Sequence, residues 1–148
     1  MKKCQICGNT NKKIYGYSYF TLCINCISKA NIVFEDEILN DKELYEELLN
    51  GIATIFATSG FDVLPTPVNI VKTNRHSTYI KSVYGEADVD KNTIKIGIPQ
   101  IYVKSSFLTV FEHEYYHIQD PTLRHDQMPD IYDSYLYWEE FIKKIDEN

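Results

Sequence analysis

The chain has 148 residues, of which 44% are hydrophobic and 24% charged, and its formal net charge at pH 7 is -6. This size and balance predict one compact domain with at most a small appendage, and they exclude a disordered or fibrous protein. Because no run of eighteen or more apolar residues occurs and the N-terminus is polar, we expect no membrane partner and no secretion, and a cytoplasmic location. The acidic charge argues against bulk nucleic-acid binding, although residues 1–30 contain five lysines and no acidic residue.

The four cysteines form two CxxC pairs near the N-terminus: Cys4 and Cys7, then Cys23 and Cys26. Two such knuckles can close a tetrahedral site, and this spacing is typical of a structural zinc ion. The alternatives are free thiols or two disulfides, of which the second is disfavoured by the absence of a secretion signal. The sequence therefore predicts a Cys4 zinc ribbon over residues 1–30, followed by a second domain over residues 31–148.

The segment between the cysteine pairs, residues 14–20, has strand character and predicts a short hairpin. A period of two would place three tyrosines on one face, namely Tyr15, Tyr17 and Tyr19. Together with the ribbon lysines, they could bind single-stranded nucleic acid or an acidic protein partner. These lysines are Lys2, Lys3, Lys12 and Lys13. We favour the alternative, in which the tyrosines pack the ribbon against the main domain and the lysines are solvated.

The middle of the chain predicts one helix followed by three strands. A capping box of Asn40 and Glu43 precedes apolar residues at helical spacing, so a helix is expected from about residue 41 to residue 58. The apolar residues are Leu44, Leu48, Ile52 and Ile55. Extended segments follow at residues 68–72, 78–84 and 93–98, and a small sheet is their natural assembly.

The motif with the clearest chemistry is HExxH, formed by His113, Glu114 and His117 within a helix predicted over residues 105–119. The i, i+4 spacing places both imidazoles on one face of the helix, where they can bind the same zinc ion. Glu114 projects beside them and could reach a metal-bound water as its general base. The motif therefore predicts a catalytic zinc site.

A catalytic zinc site needs a third protein ligand besides the two histidines. The final helix, predicted from about residue 130, carries an apolar stripe, and Glu139 falls at the edge of this stripe. A carboxylate there could reach a metal held between two helices, so Glu139 is the expected third ligand. Two alternatives stay open: Glu140, if the helix phase is shifted, and His125, if the loop over residues 121–129 folds back.

With these residues, the chain resembles the gluzincin metallopeptidases, in particular the minimal SprT-like and ImmA/IrrE-type forms. The resemblance covers residues 40–146 and implies an α+β fold in which the ribbon precedes a minimal zincin domain. That domain would contain a helix, a small three-stranded sheet, the HExxH helix and a C-terminal helix that bears the ligand glutamate. The resemblance also implies that the strand over residues 93–98 presents a sheet edge to an extended substrate.

The implied activity is hydrolysis of peptide bonds in a protein or peptide substrate. Zinc held by His113, His117 and Glu139 would lower the pKa of its bound water and polarise the scissile carbonyl, and Glu114 would transfer the proton. Two Zn2+ ions are thus expected, one catalytic and one structural. The alternatives are a non-catalytic zinc protein whose ribbon binds nucleic acid or a protein partner, and an amphipathic helix whose histidines bind no metal.

Overall fold

The computed structural model describes residues 2–59, 66–74 and 82–146. Within these ranges the chain is a mixed α and β structure with five helices and two sheets, so the predicted α+β class is confirmed. No helix in these ranges has the length and apolar character needed to cross a bilayer.

The described residues form six strands and five helices. The strands are β1 Ile14–Tyr17, β2 Phe20–Cys23, β3 Ile32–Phe34, β4 Val68–Lys72, β5 Tyr84–Asp88 and β6 Thr93–Ile98. The helices are α1 Ile24–Ile27, α2 Asp36–Leu39, α3 Lys42–Thr58, α4 Lys104–Gln119 and α5 Ile131–Asp146. Short 3-10 turns occur at Ser28–Ala30 and His125–Gln127.

The predicted N-terminal hairpin is confirmed and consists of the antiparallel strands β1 and β2. Its turn contains Ser18, which has a positive φ of 56°, and Tyr19. Gly16 has a φ of 128°, and a Cβ there would lie only 2.0 Å from the backbone oxygen of Phe20. Only glycine therefore allows the two strands to approach each other in this way.

The hairpin packs against α3, and its tyrosines explain how. Tyr17 donates from its hydroxyl to Glu47 Oε2 at 2.7 Å and from its backbone N–H to Thr54 Oγ1 at 3.0 Å. Tyr15 and Tyr17 are 7% and 8% exposed, whereas Tyr19 in the turn is 84% exposed. The predicted single face of three tyrosines is therefore wrong, because the turn separates Tyr19 from the others. Tyr15 and Tyr17 pack as the favoured alternative predicted, which leaves one tyrosine of the three exposed for stacking.

Helix α3 matches the predicted helix in extent but not in its cap. The side chain of Asp41 accepts a hydrogen bond from Leu44 N at 3.2 Å, so Asp41 is the N-cap residue. Asn40 does not cap α3, because it ends the preceding helix α2 and its N–H bonds to Asp36 O. The expected capping box at Asn40 and Glu43 is thus replaced by a cap one residue later.

The main sheet has four strands in the order β3, β4, β6, β5, and not the expected three. The first three strands are parallel, and β5 is antiparallel to β6. The prediction that residues 93–98 form an edge is wrong, because a turn over residues 89–92 folds β5 against β6 and makes β5 the edge. The segment predicted to be extended at residues 78–84 lies outside the described residues up to residue 81, and β5 begins at Tyr84.

Helix α4 lies at the centre of the molecule and contacts β5, β6, α3 and α5. Its aromatic residues stack in sequence: the ring centroids of Phe107 and Phe111 are 5.6 Å apart, and those of Phe111 and Tyr115 are 5.2 Å apart. Trp138 anchors α5 in the same core and is 1% exposed. The core also includes buried ribbon residues, so one hydrophobic cluster extends from the hairpin to α5.

Candidate metal centres

The four cysteines come together at the N-terminus, where their ligand atoms all lie within 4.8 Å of one another. Cys23 ends β2 and Cys26 lies in α1. The turn that contains Cys4 and Cys7 is closed by a hydrogen bond from Gly8 N to Cys4 O at 2.8 Å. The cysteines are free thiols and not disulfides. The cluster could hold a metal ion and is compatible with the predicted ribbon.

The spacing of the thiols agrees with tetrahedral coordination. Cys7 Sγ and Cys23 Sγ are 3.7 Å apart. Ligand bonds of about 2.3 Å at the tetrahedral angle require sulfur atoms about 3.8 Å apart, which is the geometry of zinc bound by thiolates. The donor set of four cysteines therefore fits a closed structural zinc site.

The electrostatics of the cysteine cluster favour a thiolate at one position. Burial acts to raise the pKa of Cys4, but backbone hydrogen bonds from Cys7, Cys23 and Ile6 outweigh it and lower this pKa to about 6. Burial and contacts with the other cysteines raise the pKa of Cys26 to about 12. Cys4 therefore ionises more readily than Cys26, and thiolate is the form that binds metal.

A second group of donors lies at the C-terminal half of α4. It consists of His113, His117 and His125, whose ligand atoms also lie within 4.8 Å of one another. The Nε2 atoms of His113 and His117 are 3.2 Å apart. Two imidazoles bound tetrahedrally at about 2.0–2.1 Å would have nitrogens about 3.3 Å apart, so the observed pair fits a shared zinc ion.

His125 reaches this group because the connection between α4 and α5 turns back towards α4. It begins the 3-10 turn at His125–Gln127, which is closed by a bond from Arg124 N to Gln127 Oε1 at 3.0 Å. The His125 ring centroid lies 4.7 Å from that of His117 and 5.4 Å from that of His113. The alternative that the loop folds back is thus the arrangement present in the structure.

The expected third ligand, Glu139, is not part of the histidine group. Burial and, after it, an interaction with the Glu139 carboxylate raise the pKa of Tyr135, one turn earlier on α5. Glu140 points to solvent and lies 3.8 Å from Lys143 in an exposed ion pair. The half-buried position of Glu139 agrees with the predicted edge of the apolar stripe, but that position does not bring its carboxylate into the group of His113, His117 and His125.

The surroundings of two of these imidazoles, those of His113 and His117, favour the neutral form. Burial, followed by repulsion from His117 and His125, lowers the pKa of His113 to about 4. Burial and repulsion from His125 also lower the pKa of His117. Neutral imidazole is the form that donates a lone pair to a metal ion, so these two histidines are in their ligand form at pH 7.

Glu114 points away from solvent, towards the edge strand β5, and is 6% exposed. A Cβ on Gly85 of β5 would lie 2.4 Å from Val110 Cγ1 and 3.0 Å from Glu114 Cγ, so glycine permits α4 to approach β5 here. Burial and, as the smaller cause, the nearby carboxylate of Glu86 together raise the pKa of Glu114 to about 7. The motif thus places a buried, titratable carboxyl beneath the sheet edge.

Glu112, one residue before the motif, is a half-buried carboxylate that the sequence did not single out. It accepts hydrogen bonds from Ser59 Oγ at 2.7 Å and from Trp138 Nε1 at 3.3 Å. It thereby connects the end of α3, the middle of α4 and the face of α5. The available signal was Trp138 itself, because a tryptophan on a buried stripe needs an acceptor for its N–H.

Comparison with known proteins assigns the chain to no group. No protein-family model matches it, and neither a curated protein nor a solved structure is significantly similar to it. Function is therefore inferred from the two clusters themselves.

Substituting His125 and Glu139 in turn tests which of these two candidate ligands completes the histidine group. We expect His125→Ala to lower the zinc stoichiometry from two ions to one per chain, because it removes a donor within 4.8 Å of the others. Glu139→Ala should retain two ions, since Glu139 interacts with Tyr135. Native mass spectrometry of zinc-supplied protein measures both, and loss of an ion from the Glu139 variant alone would contradict the assignment.

Proposed function

We propose that this protein is a zinc-dependent metalloendopeptidase that hydrolyses peptide bonds of a protein substrate at the histidine group, while the cysteine cluster holds a structural zinc ion. The observation that carries the proposal is the histidine group itself. His113 and His117 lie with their Nε2 atoms 3.2 Å apart, His125 completes the group, and Glu114 belongs to the same helical turn.

The chemistry of the two donor sets supports different tasks for the two ions. Four thiolates form a closed site with no position left for a substrate, which suits a structural role. Three imidazoles leave a fourth position open, which is the arrangement that catalytic zinc sites use. The exposure of His125 on its turn keeps this side of the group accessible from solvent.

The three-histidine set also refines the kind of peptidase that we propose. Gluzincins take their third ligand from a glutamate on a downstream helix, but here the third donor comes from the loop between α4 and α5. A minimal zincin with a histidine as its third ligand is therefore the better description of this site. The finer likeness to SprT-like or ImmA/IrrE-type proteins is not needed for the proposal.

The roles of the chain's own residues follow from where they lie. When bound, zinc would supply a Lewis acid that polarises the scissile carbonyl and acidifies water. Glu114 would accept the proton of the attacking water and deliver it to the leaving amine, as a carboxylate within the motif can do. The strand β5 lies at the sheet edge above Glu114, so an extended substrate could pair with β5 and pass the site.

The experiment that tests this function detects new chain ends. Zinc-loaded protein is incubated with a peptide library derived from a whole proteome, and mass spectrometry identifies the new N-termini. We expect cleavage by the wild type, and none by His125→Ala or after treatment with a zinc chelator. The proposal fails if the wild type with two bound zinc ions produces no new termini, or if His125→Ala produces the same ones.

A further inference from the structure

The main sheet has a second edge, formed by the short strand β3, on the opposite side from β5. Asn31 accepts a hydrogen bond from Val68 N, and Glu35 donates one to Ile70 O, so both ends of this strand bond to β4. Because bonding residues alternate along a parallel ladder, Ile32 and Phe34 direct their N–H and C=O groups away from β4. Within the described residues these groups have no hydrogen-bond partner.

An apolar groove borders this edge, with a volume of about 410 Å³. Its lining includes Ile24 and Ile27 of α1, Ile32 and Phe34 of β3, Leu39 of α2 and Tyr45 of α3. The Phe34 and Tyr45 rings in this lining contact each other edge to face, with centroids 5.0 Å apart. Leu39 at the rim is 48% exposed, so an apolar side chain is available to a partner.

We propose that the β3 edge and this groove bind an extended peptide segment of another protein, which adds to the sheet as a fifth strand. The backbone groups of Ile32 and Phe34 require an occupant with free N–H and C=O groups, which a strand has and a helix does not. Side chains of an added strand alternate between the two faces, so every second one would enter the groove. The chemistry of the groove therefore selects a segment with apolar residues at alternate positions.

The charge next to the strand adds a second element of selectivity. Glu35, Asp36 and Glu37 follow β3 directly and are exposed. A basic residue at the end of the peptide that lies beside them would be complementary in charge. The β3 edge lies three strand spacings, about 14 Å, from β5, so this binding site is separate from the proposed catalytic site and does not depend on its activity.

The test selects the peptide without assuming its source. Random heptapeptides displayed on phage are selected against the full-length, zinc-loaded protein, and the enriched peptides are synthesised with a fluorescent label. We expect the enriched peptides to have apolar residues at alternate positions. We expect Leu39→Lys to raise their Kd at least tenfold, as measured by fluorescence anisotropy. Leu136→Lys is the matched control, because Leu136 on α5 is 41% exposed and should leave the Kd unchanged.

A second measurement separates strand addition from burial in the groove alone. Methylation of the backbone nitrogens at alternate positions gives two peptides, one for each register (odd or even positions). The peptide whose methylated nitrogens face β3 should lose binding, and the other should retain it. Thermal melting of Leu39→Lys beside the wild type tests whether this variant folds as the wild type does. The proposal is overturned if no peptide is enriched, if the enriched peptides bind Leu39→Lys equally well, or if binding survives methylation in both registers. Self-association that Leu39→Lys abolishes would overturn it too, since a second copy would then occupy the edge.

Discussion

Replacing Cys4 with alanine is expected to remove one zinc ion and to destabilise the whole chain, not the ribbon alone. Cys4 is 1% exposed and belongs to the hydrophobic cluster that continues through α3 to α5. A segment as short as the ribbon depends on its metal for order, and loss of a metal is among the changes that cost about 4 kcal/mol or more. For a chain of this size, that corresponds to a fall in Tm of roughly 10 °C.

Calorimetry of the zinc-loaded variant beside the wild type measures this effect. Gln5→Ala is the matched control, because Gln5 lies between the two cysteines of the first knuckle and is exposed. Chelation of zinc from the wild type should lower its Tm at least to that of the Cys4 variant. A Cys4 variant that melts like the wild type would show that the cysteine cluster contributes nothing to stability.

Glu114→Gln is expected to lower the rate of peptide hydrolysis by about 10²–10⁴ while two zinc ions stay bound. The substitution keeps the shape of the side chain and all three histidines, and it removes the group that would transfer the proton. Stability should not fall, because burial raises the pKa of Glu114 to about 7 and its charged form is therefore disfavoured in the fold.

Glu112→Gln is the control for this variant. Glu112 is a half-buried carboxylate on the same helix, but its partners are Ser59 and Trp138. We expect this variant to retain most of its turnover and to lose some stability, since an amide cannot accept both hydrogen bonds as a carboxylate does. Equal loss of activity in both variants would indicate a general disturbance of α4 and would remove the assigned role of Glu114.

The parts of the fold that the sequence predicted well are those determined by local periodicity. The bounds of α4 differ from the prediction by one residue, and those of β4 and β6 are the predicted ones. The CxxC pairs and the i, i+4 histidines are local as well, since their spacing alone brings their side chains together. The two cysteine pairs and the pair of His113 and His117 were predicted for this reason.

The misassigned features depend on contacts between distant segments. β3 has only three residues, too few for a period of two to be recognised, and it is a strand because β4 pairs with it. The place of His125 depends on how the connection between α4 and α5 turns, and nothing in its local sequence fixes that path. Helix phase could place Glu139 on its own helix but could not indicate which neighbour that side faces.

The histidine group is asymmetric in how its members are supported. His113 and His117 are carried by a helix packed on four neighbouring elements, whereas His125 is carried by an exposed turn that is closed by bonds among its own residues. A shift of that turn would change the number of imidazoles around an ion without any rearrangement of the core. The connection between α4 and α5 therefore determines whether two or three imidazoles could reach a metal ion.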